Sequence, residues 1–183
     1  GPVDLRSSGM DAAIMYCEGP GPGQYGLQVM PLELLAVCSP ELIQHTESLA
    51  DTLQRLPLLH QVAALEAWPT FFGLVGVKVP HAFKGPRYSL LTMGLQAALN
   101  GIGAALLPMY VAGDDLHAGR LVCLSDKRFT AYKGYYFVCS HEAVDTPAIA
   151  TFLPTVLAMS VGTLAVMSLP VTFATFRDKG VLR

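Results

Sequence analysis

The sequence predicts an α/β protein. Three observations point there. Short apolar runs of strand character alternate with amphipathic helical stretches, Gly and Pro turns separate them, and 52% hydrophobic against 14% charged residues demands a buried core. At 183 residues the chain supports one domain, or two small lobes sharing one polypeptide. The lack of any repeat with a period of roughly 20 to 50 residues excludes a solenoid.

The first expected strand is residues 11–16 (DAAIMY), closed by GPGPG at 19–23, a loop free to be neither helix nor strand. Residues 26–30 and 33–38 (ELLAVC) read as two further strands. Ser39-Pro40 offers a capping hydroxyl and then a proline at the first helical position, so a short helix is expected to begin there. A helical turn follows at 48–54, and Pro57 interrupts before an apolar run at 58–60. The strongest segment is 88–108 (YSLLTMGLQAALNGIGAALLP). Ser89 is placed to cap a helix whose Leu91, Leu95, Ala98 and Leu99 share one face, and Gly101 stands where the helix end needs a left-handed residue. Residues 104–107 form a continuous apolar run suited to a parallel strand covered on both faces. A helix at 111–117 stopped by Gly119 and strands at 120–124 and 135–139 follow. A helix at 147–159, with Ile149, Phe152, Leu153, Val156 and Leu157 at helical spacing, and a buried strand at 163–168 complete the alternation.

Twelve basic and fourteen acidic residues leave a formal net charge of -2 with no basic block. The chain itself is therefore a poor binder of DNA or RNA, whose phosphates call for clustered Lys and Arg. Cys17, Cys38, Cys123 and Cys139 include no CxxC and no spacing that pairs with histidine as a zinc site would. Cys38, Cys123 and Cys139 lie in apolar strand-like runs, where a reduced thiol acts as a small hydrophobe. His45, His60, His81, His117 and His141 are scattered without ligand spacing, so no metal or cofactor is expected.

Residues 146–176 carry no charge and are long enough to cross a bilayer. Pro154, Gly162 and Pro170 cut the stretch, and a globular helix plus strand is the preferred reading. Residues 1–10 lack the apolar region of a signal peptide, which leads to the expectation of a cytoplasmic protein without a membrane partner.

The nucleophile elbow GxSxG, the zinc motif HExxH and the phosphate-binding GxxxxGK[ST] are absent, and Gly101-Ile102-Gly103 has the reverse element order from a dinucleotide fingerprint. Cys139 and His141, two apart, would share a strand face, but no third group orients the histidine. Asp114-Asp115 read as the acidic start of a helix, favoured by its macrodipole. No enzymatic activity is expected. Binding chemistry rests instead on hydroxyls: Ser89 and Thr92 in a first helical turn, beside free backbone N–H groups, offer a place for a carboxylate or other anion. Ser168, Thr172 and Thr175 sit at and after the end of the 163–168 strand, the end beyond which ligands lodge in open parallel sheets. The bland alternative is that Ser89 only caps and the others only face water.

Five separated segments occur in an order that resembles a known family: DLRSSGMDAAIMY at 4–16, ELLAVCSP at 33–40, LQAALNGIGAALLP at 95–108, DDLHAGRLV at 114–122 and PAIATF at 147–152. Together they resemble the effector-binding domain of LysR-type transcriptional regulators, especially the branch that includes the glycine-cleavage and AmpC β-lactamase activators. The resemblance implies a two-lobed α/β fold of the type 2 periplasmic-binding-protein kind with a ligand cleft between lobes. A change of lobe near Cys38-Ser39-Pro40 and a return near Tyr135, read from the sequence, put residues 1–38 in lobe I and 39–134 in lobe II, with 135–183 returning to lobe I. The resemblance implies a small-molecule effector in the cleft, and a homodimer whose rearrangement reaches DNA only through a winged helix-turn-helix that is not matched here. The runner-up is a solute-binding protein of the same fold serving a transporter.

One departure concerns order. Residues 162–176 (GTLAVMSLPVTFATF) resemble the strand that opens the family's effector domain, yet they close this chain, and 177–183 do not resemble the helix that follows it. This implies a permuted chain or segments joined out of native order. Carried over residue by residue, Thr172 resembles a hydroxyl that contacts effector after the first strand. Asp4 resembles a cleft acid and Tyr136 a cleft tyrosine on the return strand. Ser89, with Thr92, matches the helix-start region, although Leu90 and Leu91 stand where some relatives have serines, which counts against a muropeptide-type ligand. Tyr16 and Ser168 are cleft candidates by position.

Overall fold

The computed structural model describes Leu5 and residues 10–44, 46–147, 149–151, 154, 155 and 158. Its contacts divide the chain into two compact units, residues 1–32 with 132–183, and residues 33–131.

The first unit holds strands β1 (Ala12–Cys17) and β2 (Gln24–Met30), with β9 (Gly134–Ser140) between them in the order β1-β9-β2. Both pairings are antiparallel, and β2 slips register between Gln28 and Met30. The period of two along β9 sends Phe137 and Cys139 to one face. There they are buried with Ile149, and Ala12, Tyr25, Ala143 and Val144 pack around them. Pro147, residues 149–151, Pro154, Thr155 and Ala158 are helical, in keeping with the expected helix there. The expected strand at 163–168 lies outside the described residues.

The second unit runs β3 (Glu33–Cys38), α1 (Leu49–Arg55), β4 (Leu58–Gln61), α2 (Ala67–Val75), β5 (Arg87–Tyr88), α3 (Leu91–Leu99), β6 (Ala104–Pro108), α4 (Met109–His117), β7 (Val122–Cys123) and β8 (Phe129–Thr130). Its sheet has the order β5-β4-β6-β3-β7, with β8 also pairing β3. The strands β5, β4 and β6 are parallel, while β3 runs antiparallel to β6, β7 and β8. Every residue of β6 is buried, so its uninterrupted apolar sequence follows from burial on both faces. Its parallel neighbour is on one side only. The core is Leu35, Val37, Leu59, Tyr88, Ala98, Ala105, Leu107, Ala112 and Leu121, onto which α3 lays Leu91, Leu95 and Leu99. Each such side chain contributes about 1.5–3 kcal/mol when fully buried. Gly101 ends α3 at φ +68, the left-handed conformation its place required.

Several expectations change. β3, assigned to lobe I from sequence, belongs by its pairing to the second unit, and the return crossing falls before Tyr132. The 67–75 helix was not foreseen, because Pro69 and Gly73 mask its pattern. A proline is tolerated in a first turn. Trp68 holds the helix down: its indole Nε1 donates to the Leu59 carbonyl at 3.0 Å, and its ring stacks on Phe72 with centroids 5.5 Å apart. Ser39 precedes a 3-10 turn at Pro40–Leu42 with proline in its first turn, but its hydroxyl makes no cap bond. Helix α4 starts directly after Pro108, so Asp114 and Asp115 fall in its last turn, not its first. There Asp115 is buried and accepts from Arg120 Nε at 2.6 Å. That ion pair replaces the macrodipole as the reason for an acid at this position. Cys123, expected as a buried hydrophobe, is exposed.

Candidate functional site

Tyr16 and Tyr136 both lie in the first unit but point away from each other. The register pairs Tyr16 with Tyr135 and Met15 with Tyr136, and opposed residues in a ladder share a face while neighbours along a strand alternate. The Tyr16 ring meets that of Tyr135, centroids 5.5 Å apart. Burial, and then the neighbouring Tyr135, raises the Tyr16 phenol above its ordinary value. Tyr136 shares the other face with Met15 and, across β2, Gln28.

Ser89 and Thr92 are in the second unit, and both are exposed. The helix cap is Leu90, with no side-chain cap bond, so the expected capping role of Ser89 is not found. Among the described residues its hydroxyl has no hydrogen-bond partner, and the Leu91 and Thr92 N–H groups have none within the helix. Asp4, Ser168 and Thr172 lie outside the described residues.

At the end of β1 the first unit has a pocket of about 440 Å³, lined by Met15, Tyr16, Cys17, Glu18, Gly19, Pro20 and Lys133. The GPGPG loop builds it. Gly21 N–H donates to Gln24 Oε1 at 2.9 Å and Gln24 N–H to the Gly21 carbonyl at 3.1 Å, closing the turn. Pro20 lies over Gly26, where an added Cβ would come within 2.7 Å of the Pro20 ring. Lys133 Nζ stands 4.0 Å from Glu18 Oε1. Of the lining residues only Tyr16 was a sequence candidate. The GPGPG run was legible as a loop, but nothing local shows that Lys133 returns beside it.

The thiol of Cys139 is buried on the β9 core face, and burial raises its pKa. His141 is exposed in the turn beyond the strand. Among the described residues no group of His, Cys, Asp and Glu could hold a metal ion, and no helix is long and apolar enough to cross a membrane.

Residues 1–160 match the family described as LysR substrate binding domain. The glycine cleavage system transcriptional activator of Escherichia coli K12 is 32% identical over 157 residues, 85% of this chain and 51% of that protein. The effector domain of the transcriptional regulator AmpR of Pseudomonas aeruginosa superposes with a TM-score of 0.72 at 23% identity, over 88% of this chain and 77% of that one. Full-length LysG of Corynebacterium glutamicum with bound effector Arg superposes at 0.61 and 16% identity, over 86% of this chain and 53% of that one. The chain spans about half the length of the curated relatives it matches. These likenesses establish the fold class as α/β, of the type 2 periplasmic-binding-protein-like kind.

Proposed function

Because this chain belongs to the LysR substrate binding domain family, we propose that it is the ligand-sensing domain of a LysR-type transcriptional regulator. A small-molecule effector binds between the lobes, and the rearrangement passes through a homodimer to a separate DNA-binding domain. The observation that carries this reading is the family match over residues 1–160. The division into two units, with the chain passing between them after Leu32 and after Ala131, supports it. The relatives are transcriptional regulators and not enzymes or transport proteins, which disfavours the solute-binding alternative and supports a cytoplasmic location.

In this reading the effector meets the Ser89–Thr92 helix start, Thr172 and Tyr136, with Asp4 and Ser168 beside them. Tyr136 and Tyr16 serve different surfaces of their sheet, so Tyr136 contacts effector on the Met15 side while Tyr16 borders the pocket at the strand end. The uncommitted Ser89 hydroxyl and the open α3 N-terminus favour an anionic effector group. Binding biases a two-state dimer only by the difference in affinity between its states, and about 1–3 kcal/mol of coupling is enough.

A calorimetric screen of small carboxylates and amino-acid derivatives tests the reading. Thr172→Val, Ser89→Ala and Tyr136→Phe should each weaken the best compound about tenfold, equivalent to ~1.4 kcal/mol. Unchanged binding of every hit in all three variants would remove these residues from the site.

A further inference from the structure

The pocket at the end of β1 holds two opposite charges that folding does not explain. Glu18 and Lys133 are 4.0 Å apart and both substantially exposed. That distance is beyond hydrogen-bond reach, and an exposed pair of this kind contributes little to stability. Neither side chain has another hydrogen-bond partner among the described residues, so each keeps its capacity for a third party. Tyr16 and Pro20 form the apolar part of the pocket wall. The wall is held in place, since Tyr135 backs the Tyr16 ring and Gly26 receives Pro20. The volume of about 440 Å³ falls within the usual range for small-molecule sites.

We infer that this pocket takes an α-amino acid with an apolar or aromatic side chain, its ammonium on Glu18, its carboxylate on Lys133, and its side chain along Tyr16 and Pro20. An α-amino acid carries its two charges on one carbon, a spacing comparable to that of Glu18 and Lys133. Laid antiparallel, the four charges alternate in sign and each gains an opposite neighbour. A dicarboxylate in the same place would set like charge against Glu18, and a simple amine would leave Lys133 unanswered. This inference goes beyond the effector-sensing reading, since among the described residues neither Ser89 nor Tyr136 lines the pocket.

The test is isothermal calorimetry on the 183-residue chain with L-phenylalanine, L-leucine and L-methionine. It is run beside 2-phenylethylamine and 3-phenylpropanoate, which each lack one charge, and with Glu18→Gln and Lys133→Met, both checked for an unchanged melting curve. At least one amino acid should bind, its one-charge analogue roughly tenfold more weakly or worse, and each variant should lose a similar factor. The inference is overturned if no amino acid binds, if an analogue binds as well as its parent, or if neither variant alters affinity. A thermal-shift screen of sugars, nucleotides and organic acids separates the two levels. A hit there that ignores both variants leaves the sensor standing while the calorimetry alone decides the amino-acid pocket, whereas silence in both screens removes the sensor as well.

Discussion

The ring of Tyr88 occupies the space that a side chain on Gly94 would need: a Cβ there would come within 2.5 Å of the Tyr88 Cζ. Tyr88 closes β5 and Gly94 faces it from α3, so this contact sets how closely the helix lies on the sheet. Tyr88 is 6% exposed, and burial pushes its phenol up to about 12, so the ring has no easy route outward.

Gly94→Ala should therefore destabilise the chain by about 1–3 kcal/mol through overpacking, read as a lower urea midpoint. Shortening the obstacle should relieve it. Tyr88→Leu with Gly94→Ala is expected to lose at least about 0.5 kcal/mol less than the sum of the single changes. Strict additivity would mean that the ring and the helix do not constrain one another.

Among the described residues Ser39, Ser48 and Ser89 precede helical turns, and of these only Ser48 is bound to its helix. Ser48 Oγ accepts from the Asp51 N–H at 3.2 Å, while Ser39 and the Ser89 side chain make no such bond. Ser48→Ala should cost about 1 kcal/mol, and Ser89→Ala, at an exposed side chain, should stay within about 0.5 kcal/mol. Equal losses in chemical denaturation at positions 48 and 89 would contradict the assigned cap.

His60 is 2% exposed, and its Nε2 stands 3.2 Å from the Lys84 carbonyl, which the protonated nitrogen serves as donor. Burial lowers its pKa against the opposing pull of that carbonyl, and Arg87 lowers it further. The unfolded chain then binds more protons than the folded one below the ordinary histidine value of about 6.5. Stability from His60 is present above that value and declines as pH falls toward the folded pKa, by at most about 1.4 kcal/mol per pH unit. Urea midpoints between about pH 5 and 8 should show this slope and lose part of it in His60→Gln. An unchanged slope would assign the acid sensitivity to other groups.

Thiol labelling should discriminate three of the four cysteines. Cys38 and Cys139 are buried, and burial pushes the Cys38 thiol up to about 11. Cys123 is exposed and should react with maleimide first, while Cys38 and Cys139 react only as the chain opens. Fast native labelling of Cys139 would revive a nucleophilic role for it beside His141.

Local pattern accounts for most of the elements that came out as expected. The apolar run 104–107, the face of α3 and the glycine at its end each carry their reason within a few residues, because burial on both faces, helical periodicity and a left-handed φ all leave marks in adjacent positions. Helix α2 was hidden because Pro69 and Gly73 weaken its pattern, and the pairing of Trp68 with Leu59 that secures it joins separate elements. The strand 33–38 was legible as a strand but not as a member of the second unit, since partner choice depends on β6, some seventy residues on.

By itself the sequence determined the fold class and the family, since composition and ordered motifs survive without coordinates. Only the tertiary structure decided that Tyr16 and Tyr136 face opposite ways, that Leu90 and not Ser89 caps α3, and that Lys133 comes back beside Glu18. Strand register and chain return are long-range choices. They are made by burying whole faces at once, and no window of neighbouring residues records them.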